Sequence, residues 1–221
     1  MKTHDDPRHC TFTADQLTCI RGQRVVFSDL SFVIPPGTTT VLSGPNGSGK
    51  SSLLRLVAGL LKPAVGTMTW GDERKRPDPE FHRRQVSFVG HQDAVKPAFT
   101  VAENLRYWRA ILRGASGENV IGAALSAHDL RHLADLPARL LSAGQRRRLN
   151  LARLNLAPRH LWLLDEPTVS LDSESVARLE NCLRHHLCNQ GSALIATHTP
   201  LNVGSSATIE LAPATWDALD E

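Results

Sequence analysis

The chain has 221 residues, of which 41% are hydrophobic and 21% charged, and its formal net charge is +3. This is the composition of an ordinary folded protein, and it excludes a disordered, a collagen-like or a disulfide-rich chain. At about 150 residues per domain, the length predicts one large domain or one domain with a small insertion. No apolar run approaches the roughly 18 residues of a membrane span.

Residues 1–13 are predicted to form a flexible tail. They lack the apolar core of a secretory signal, which predicts a cytosolic protein with free thiols. After the tail, short β-branched and apolar runs alternate with Gly and Pro, as is typical of strands and turns. Strands are predicted at 25–27, 32–34, 39–43, 67–70, 86–89, 161–164, 193–197 and 208–211, and a helix at 50–61.

The order of these elements predicts an α/β fold. Strands and helices alternate in the later half, which favours a parallel sheet covered by helices, whereas the early strands are predicted to be antiparallel. Residues 101–156 are mostly helical in pattern, with a break at Gly114 and Gly117. The sequence therefore predicts a single domain at 14–221 with a helical subdomain at about 100–156.

Positive charge is concentrated in one segment. Residues 106–160 contain ten arginines, no lysine and three acids. Such a segment suits contact with phosphate, nucleic acid or an anionic membrane surface, or it forms a solvated helical face. The sequence leaves these alternatives open.

The string 44–51 fits the pattern G-x-x-x-x-G-K-[ST] and lies between a predicted strand and a predicted helix, the context that this phosphate-binding loop needs. Backbone amides and the positive end of the helix favour an anion there. We expect Lys50 to reach the β- and γ-phosphates and Ser51 to bind magnesium. The predicted ATP-binding residues are Gly44, Pro45, Asn46, Gly47, Ser48, Gly49, Lys50, Ser51 and Ser52.

Two further strings carry chemistry. The apolar strand at 161–164 leads into Asp165 and Glu166, so that one acid can hold magnesium while the other polarises a water molecule. The string 141–145 opens a predicted helix with Ser142 as its N-cap, which makes a second anion site. A second phosphate-binding site in a chain with only one phosphate loop suggests that this site contacts the nucleotide of a second copy.

Together these strings resemble the ATP-binding subunits of ABC transporters. The family's motifs occur in order: the phosphate loop, Gln92, the signature at 141–145, the acids after 161–164, the loop at 170–172, and His198. The resemblance covers about 17–211. It implies a P-loop NTPase fold of ABC type and ATP hydrolysis with Mg²⁺. The implied core sheet is mainly parallel, with an antiparallel N-terminal β subdomain and a helical insertion.

The resemblance also implies roles for single residues. Two copies would stack head to tail, so that each ATP meets the signature of the other copy through Ser142, Ala143, Gly144 and Gln145. Glu166 would orient the attacking water, and His198 would hold the γ-phosphate. Gln92 would be catalytic and would link the metal to a membrane partner, with Ser51, Gln92 and Asp165 as the metal set. Arg21 stands where many relatives carry an aromatic that stacks on adenine.

Narrower strings at 89–97, 100–105, 141–154 and 161–168 resemble the cytochrome c maturation ATPases, the CcmA group. This implies a peripheral protein on the cytoplasmic face of the inner membrane, with partners resembling CcmB and CcmC with CcmD and, indirectly, the haem chaperone CcmE. Hydrolysis would drive haem export or release of the haem chaperone. Alternatives are another small ABC transporter and a soluble ABC-type ATPase on nucleic acid. The chain lacks the tandem domains and coiled coils usual in the latter, so no nucleic-acid partner is expected.

Overall fold

Eight strands and six helices make up the part of the chain that the computed structural model describes, residues 11–71, 78–112, 118–204 and 206–212. None of these helices combines the length and apolar character that a membrane crossing needs. In chain order the elements are β1 (Phe12–Arg21), β2 (Arg24–Ile34), β3 (Thr39–Ser43), α1 (Lys50–Val57), β4 (Val65–Trp70), α2 (Pro79–Gln85), β5 (Val86–Val89), α3 (Val101–Leu112), α4 (Glu118–Ala127), α5 (Ala143–Ala152), β6 (Leu161–Asp165), α6 (Ser173–Cys188), β7 (Ser192–Ala196) and β8 (Ser206–Glu210).

A small antiparallel sheet has the strand order β2-β1-β4. The sequence did not predict β1, and it placed residues up to 13 in a tail. Phe12 instead begins the strand and is only 1% exposed, with its ring 5.1 Å from that of Trp70 and 6.2 Å from that of Phe32. Because this aromatic ring is buried, β1 begins two residues inside the predicted tail. Residues 1–10 of that tail lie outside the described chain.

The main sheet is parallel, with the order β5-β6-β7-β3-β8. This confirms the predicted α/β fold. Every residue of β6 and β7 is buried, as expected for central parallel strands that helices cover on both faces. Because all five strands run the same way, the loops after β3, β6 and β7 meet at one edge of the sheet, where ligands bind in open α/β folds.

Helices α3, α4 and α5 pack around a hydrophobic cluster of their own. Val101, Leu105, Ile121, Leu130 and Leu149 are at most 2% exposed in this cluster. A short 3-10 turn, Arg153–Leu156, then leads from α5 towards β6. The helical layer therefore has a core separate from those that line the sheet.

Several boundaries differ from the sequence prediction. Helix α1 ends at Val57 rather than at 61, because Gly59 takes a φ of 72° and the amides of Leu60 and Leu61 turn back to the carbonyl oxygen of Arg55. The strands predicted at 25–27 and 32–34 are one strand, which carries an irregularity at Asp29, whose φ is 52°. Helix α2 was not predicted. Asp78 caps it by accepting hydrogen bonds from the amides of Glu80 and Phe81.

The buried start of β1 predicts a large loss of stability on Phe12→Ala. Removal of this side chain leaves a cavity against Trp70 and should lower the free energy of unfolding by about 3–5 kcal/mol. Val33→Thr is the matched control, because Val33 is 53% exposed on the adjoining strand and its replacement should change stability by about 0.5 kcal/mol or less. Urea denaturation measures both. Equal stabilities for the two variants would contradict the packing described.

Candidate functional site

The loop that joins β3 to α1 is shaped by glycines. Gly44, Gly47 and Gly49 have φ angles of 139°, 82° and 99°, which residues with a side chain adopt only at a cost. A methyl group on Gly44 would collide with the carbonyl oxygen of Leu211, and one on Gly49 would lie 2.6 Å from Cγ1 of Val26. The loop therefore needs glycine at these two positions for its close approach to neighbouring chain.

Lys50 begins α1 and lies beneath this loop. Its Nζ donates hydrogen bonds to the carbonyl oxygens of Gly44 (2.7 Å) and Pro45 (3.0 Å), and the residue is 9% exposed. The first amides of α1 have no intrahelical acceptor, and no acid lies in the first turn. A buried ammonium group and a helix N-terminus thus converge on one place, which suits a phosphate group.

A hydroxyl and a carboxylate meet beside Lys50. The Ser51 hydroxyl donates a hydrogen bond of 3.1 Å to Oδ1 of Asp165, which is 3% exposed at the end of β6. Hydroxyl and carboxylate oxygens are suitable magnesium ligands. Ser48 Oγ is buried and has no hydrogen-bond partner within the described chain. A phosphate oxygen would satisfy it, so the residues present fit magnesium-bound ATP.

Lys50, Ser51 and Asp165 line a cavity of about 440 Å³. Arg21 and Arg24 face each other across the β1–β2 hairpin and both line it, as does Val26. No Phe, Tyr or Trp is among the described residues around the cavity. The predicted position of Arg21 beside the nucleotide is consistent with this geometry, although its stacking on a base remains a prediction.

Glu166 and His198 form a pair at the edge of the sheet. Glu166 follows β6 and has a φ of 47°. Its amide donates a hydrogen bond of 2.8 Å to the carbonyl oxygen of Ala196. Nε2 of His198 lies 3.6 Å from Oε1 of Glu166. Glu166 lines the nucleotide cavity, whereas His198 lines a different, smaller pocket.

Gln92 lies elsewhere. It lines a neighbouring groove of about 880 Å³, together with Arg83 from α2 and Trp108 from α3. The residue before it, His91, lines both the groove and the nucleotide cavity. The structure therefore does not bring Gln92 to Ser51 and Asp165, and its roles in catalysis and metal binding stay predictions.

The signature residues are also separate from the cavity of their own chain. Ser142 caps α5 as predicted: its hydroxyl accepts from the amide of Gln145 (3.2 Å), and its amide donates to Oε1 of Gln145 (2.9 Å). A methyl group on Gly144 would lie 2.8 Å from the carbonyl oxygen of Ser170. Gly144 thus packs against the loop after β6. None of the four signature residues, Ser142, Ala143, Gly144 and Gln145, lines the nucleotide cavity.

That loop is fixed at its far end by Asp172, which caps α6. Its carboxylate accepts a hydrogen bond of 2.8 Å from the amide of Ser175. Hydrogen bonds from the hydroxyl and the amide of Ser175 lower the pKa of Asp172 below its ordinary value. The carboxylate is therefore ionised, which strengthens the cap.

Sequence reasoning did not single out four arginine or histidine residues that shape the site. Arg24, Arg55 and His91 line the nucleotide cavity. The fourth, Arg147, lies buried behind the loop after β6 and bonds to the backbone there. The hairpin spacing could have shown that Arg24 faces Arg21, but no local pattern separates Arg147 from its neighbours Arg146 and Arg148.

Comparison with known families shows that residues 27–169 match the ABC transporter family model. This range covers the phosphate loop, the signature and the acids after β6. The chain belongs to the ABC transporter family. It is therefore an ATP-binding and ATP-hydrolysing subunit of that family.

Curated relatives are similar over nearly the full chain. The cytochrome c biogenesis ATP-binding export protein CcmA of Paramagnetospirillum magneticum is 50% identical over 204 residues, 91% of this chain and 94% of that protein. CcmA of Rhodospirillum rubrum is 48% identical over 200 residues, covering 90% and 85% respectively.

Solved structures share the fold at lower identity. An ATP-binding subunit of an ABC transporter matches 95% of this chain with a TM-score of 0.81 at 22% identity, covering 90% of that structure. A bacterial Atm1-family ABC exporter with ATP bound matches 94% of this chain with a TM-score of 0.80, also at 22% identity, covering 38% of that chain. At this identity the likeness supports the fold alone.

The shape of the phosphate loop predicts that Gly44→Ala weakens ATP binding. The added methyl group meets the backbone of Leu211 and the hydroxyl of Ser48, so the loop must move. We expect at least tenfold weaker binding of a fluorescent ATP analogue, about 1.4 kcal/mol. Gly122→Ala in α4 is the control, because its methyl group meets nothing within 4 Å and should leave binding unchanged. Equal affinities of both variants for the ATP analogue would contradict the assignment of this loop as the ATP-binding loop.

Proposed function

We propose that this chain is the ATP-hydrolysing subunit of a membrane ABC complex for c-type cytochrome biogenesis. Hydrolysis would be coupled to haem export or to release of the haem chaperone from the complex. The observation that carries the proposal is the 50% identity to a cytochrome c biogenesis ATPase over 91% of the chain. The intact phosphate loop and both acids after β6 support an active enzyme rather than a scaffold.

Binding of ATP would use the glycine loop and Lys50. The ammonium group now bonded to two loop carbonyls would exchange them for β- and γ-phosphate oxygens, a stronger charge-assisted contact. Ser51 and Asp165 would hold Mg²⁺, which supplies charge neutralisation between the β- and γ-phosphates. The two arginines of the hairpin would lie beside the base and ribose.

Hydrolysis would depend on Glu166 and His198. The Glu166 carboxylate would accept a hydrogen bond from the attacking water and orient it towards the γ-phosphate. The imidazole of His198 lies 3.6 Å from that carboxylate and would donate to a γ-phosphate oxygen. It would thereby hold the γ-phosphate in position beside the Glu166 carboxylate. Both residues follow strand ends at the edge of the sheet where the phosphate loop begins.

A second copy of the chain would complete each site. The signature residues lie outside the cavity of their own chain, yet the amides at the start of α5 and the Ser142 hydroxyl suit a phosphate group. Stacking two copies head to tail would place each signature on the γ-phosphate held by the other. ATP would then act as part of the dimer interface, and hydrolysis would loosen it.

The groove beside Gln92 is the proposed contact with the membrane partners. Five arginines line it: Arg55, Arg83, Arg84, Arg153 and Arg159. Glu80 is the only acid among its described lining residues, and it pairs with Arg84 at 2.6 Å.

Two of these arginines are partly buried. Burial lowers the pKa of Arg153 to about 10, although Asp93 opposes the shift. Burial also lowers the pKa of Arg159, and neither forms an ion pair in the described chain. A partner segment carrying carboxylates would form ion pairs with these arginines and offset the excess of positive charge in the groove.

By the same resemblance, the partners would be integral membrane proteins of the CcmB and CcmC type with CcmD, and CcmE indirectly. The chain would then lie on the cytoplasmic face of the inner membrane as a peripheral subunit. The arginine-rich segment 106–160 supplies two of the groove's arginines and Trp108. Part of its positive charge would therefore face the membrane partners.

We expect Glu166→Gln to retain ATP binding while steady-state turnover falls by roughly 10²- to 10⁴-fold, because an amide cannot accept the water's proton. Sedimentation should show an ATP-stabilised dimer. In a strain lacking its own cytochrome c maturation ATPase, haem staining should show c-type cytochromes with the wild-type chain and none with the variant.

The matched control is Glu174→Gln, since Glu174 is a 76% exposed partner of Arg178 on α6 and should support normal turnover. Unchanged hydrolysis by Glu166→Gln would overturn the role of Glu166. Failure of the wild-type chain to restore c-type cytochromes in that strain would overturn the biological assignment.

The groove predicts that Arg83→Glu releases the membrane partner. Arg83 is exposed on α2, so its replacement reverses a groove charge without disturbing the core. We expect the multi-span partner to co-purify with the wild-type chain in detergent and to be lost, or recovered at least tenfold less, with the variant. Arg178→Glu on α6 makes the same charge change outside the groove and should retain the partner. Equal recovery with both variants would contradict this contact.

A further inference from the structure

Arg147 of α5 is buried, with 4% of its side chain exposed, and all its hydrogen-bond donors are used. Nε donates to the carbonyl oxygen of Pro167 (3.3 Å). One terminal nitrogen donates to the carbonyl oxygen of Gly90 (2.9 Å) and to Oδ1 of Asp93 (3.2 Å). The other donates to the carbonyl oxygens of Asp165 (2.9 Å) and Glu166 (2.7 Å). A guanidinium group has five N–H donors, and each meets one acceptor here.

These acceptors belong to different parts of the site. Asp165 and Glu166 border the nucleotide cavity, and Gly90 borders the groove beside Gln92. Arg147 itself belongs to the helix that begins at the signature. A single side chain therefore ties the signature helix, the acids and the groove wall together.

The backbone of Glu166 needs such support. Its φ of 47° is unfavourable for a residue with a side chain and persists only when the surroundings impose it. The amide of Glu166 donates to the carbonyl oxygen of Ala196 (2.8 Å), and its own carbonyl oxygen accepts from Arg147 (2.7 Å) and from the amide of Val169 (3.3 Å). The contact with Arg147 is the shortest of the three and carries a full charge, so it is the strongest.

We propose that Arg147 is a positioning residue that fixes the backbone of Glu166 and so aims its carboxylate at the attacking water. This inference rests on the proposed catalytic role of Glu166. Arg147 lines neither the nucleotide cavity nor the groove among the described residues, so it acts through the groups it bonds. Its removal leaves the Glu166 carbonyl oxygen with only the longer hydrogen bond from Val169, which weakens the hold on the left-handed conformation.

Only arginine satisfies this arrangement. Lysine keeps the charge but has three donors from one nitrogen, so it cannot serve five acceptors spread over two loops. Glutamine removes the charge and leaves Asp93 with the amide of Asn150 as its remaining side-chain partner. We therefore expect a graded series in which lysine retains more function than glutamine.

The test is steady-state ATP hydrolysis by Arg147→Gln and Arg147→Lys. For the glutamine variant we expect kcat to fall about tenfold, while KM for ATP stays within about twofold, because the phosphate loop is untouched. The lysine variant should lie between it and the wild type. Arg178→Gln is the matched control and should keep both parameters, because Arg178 is a half-buried residue of α6 that pairs with Glu174 away from the nucleotide cavity.

A double-variant cycle separates positioning from a general structural effect. In the Glu166→Gln background, Arg147→Gln should lower the residual kcat by less than about twofold, because the group it positions is already lost. An additive tenfold loss, or a change confined to KM, would overturn the inference. If Arg147→Gln does not fold, the lysine variant decides, and an unchanged kcat in it would overturn the inference.

These outcomes are distinguishable from failure of the proposed function. If Glu166→Gln hydrolyses ATP normally, the proposed mechanism fails first. If Glu166→Gln is inactive while both folded Arg147 variants turn over normally, the mechanism stands and the positioning role fails.

Discussion

Parallel pairing of β3, β6 and β7 is the constraint on which the site depends. Since these strands run in one direction, the glycine loop, the two acids and His198 all follow strand ends at one edge of the sheet. Their contacts cross from strand to strand: Ser51 bonds to Asp165, and Glu166 bonds to the backbone of Ala196. The chemistry is therefore assembled by the topology, from positions more than a hundred residues apart in the chain.

The same topology leaves the site open on one side. The signature begins a helix in a different layer, which packs on the loop after β6 but does not reach the cavity of its own chain. In the proposed mechanism the signature contacts the γ-phosphate that a second copy holds. Association of two copies and ATP binding would then be one event, and separation would follow hydrolysis.

Much of this could be predicted from the sequence, because motifs made of consecutive residues fix local structure. The glycine loop, the Ser142 cap and the buried β6 before Asp165 are of this kind. Contacts between distant segments could not be predicted. Burial of Phe12 against Trp70 extended β1 into the predicted tail, and His91 rather than Gln92 turned towards the cavity. Arg147 resembles any arginine on an exposed helix until the fold surrounds it with five acceptors.

The central claim is that each ATP site is shared between two copies, and mixing two inactive variants tests it most directly. Lys50→Met removes the phosphate contact of its own site, and Ser142→Arg blocks the signature that the chain offers to its partner. Each variant alone should lack turnover. Their mixture should regain ATP hydrolysis, because the intact phosphate loop of one variant meets the intact signature of the other. A mixture as inactive as its components, or full activity of Ser142→Arg alone, would contradict the claim.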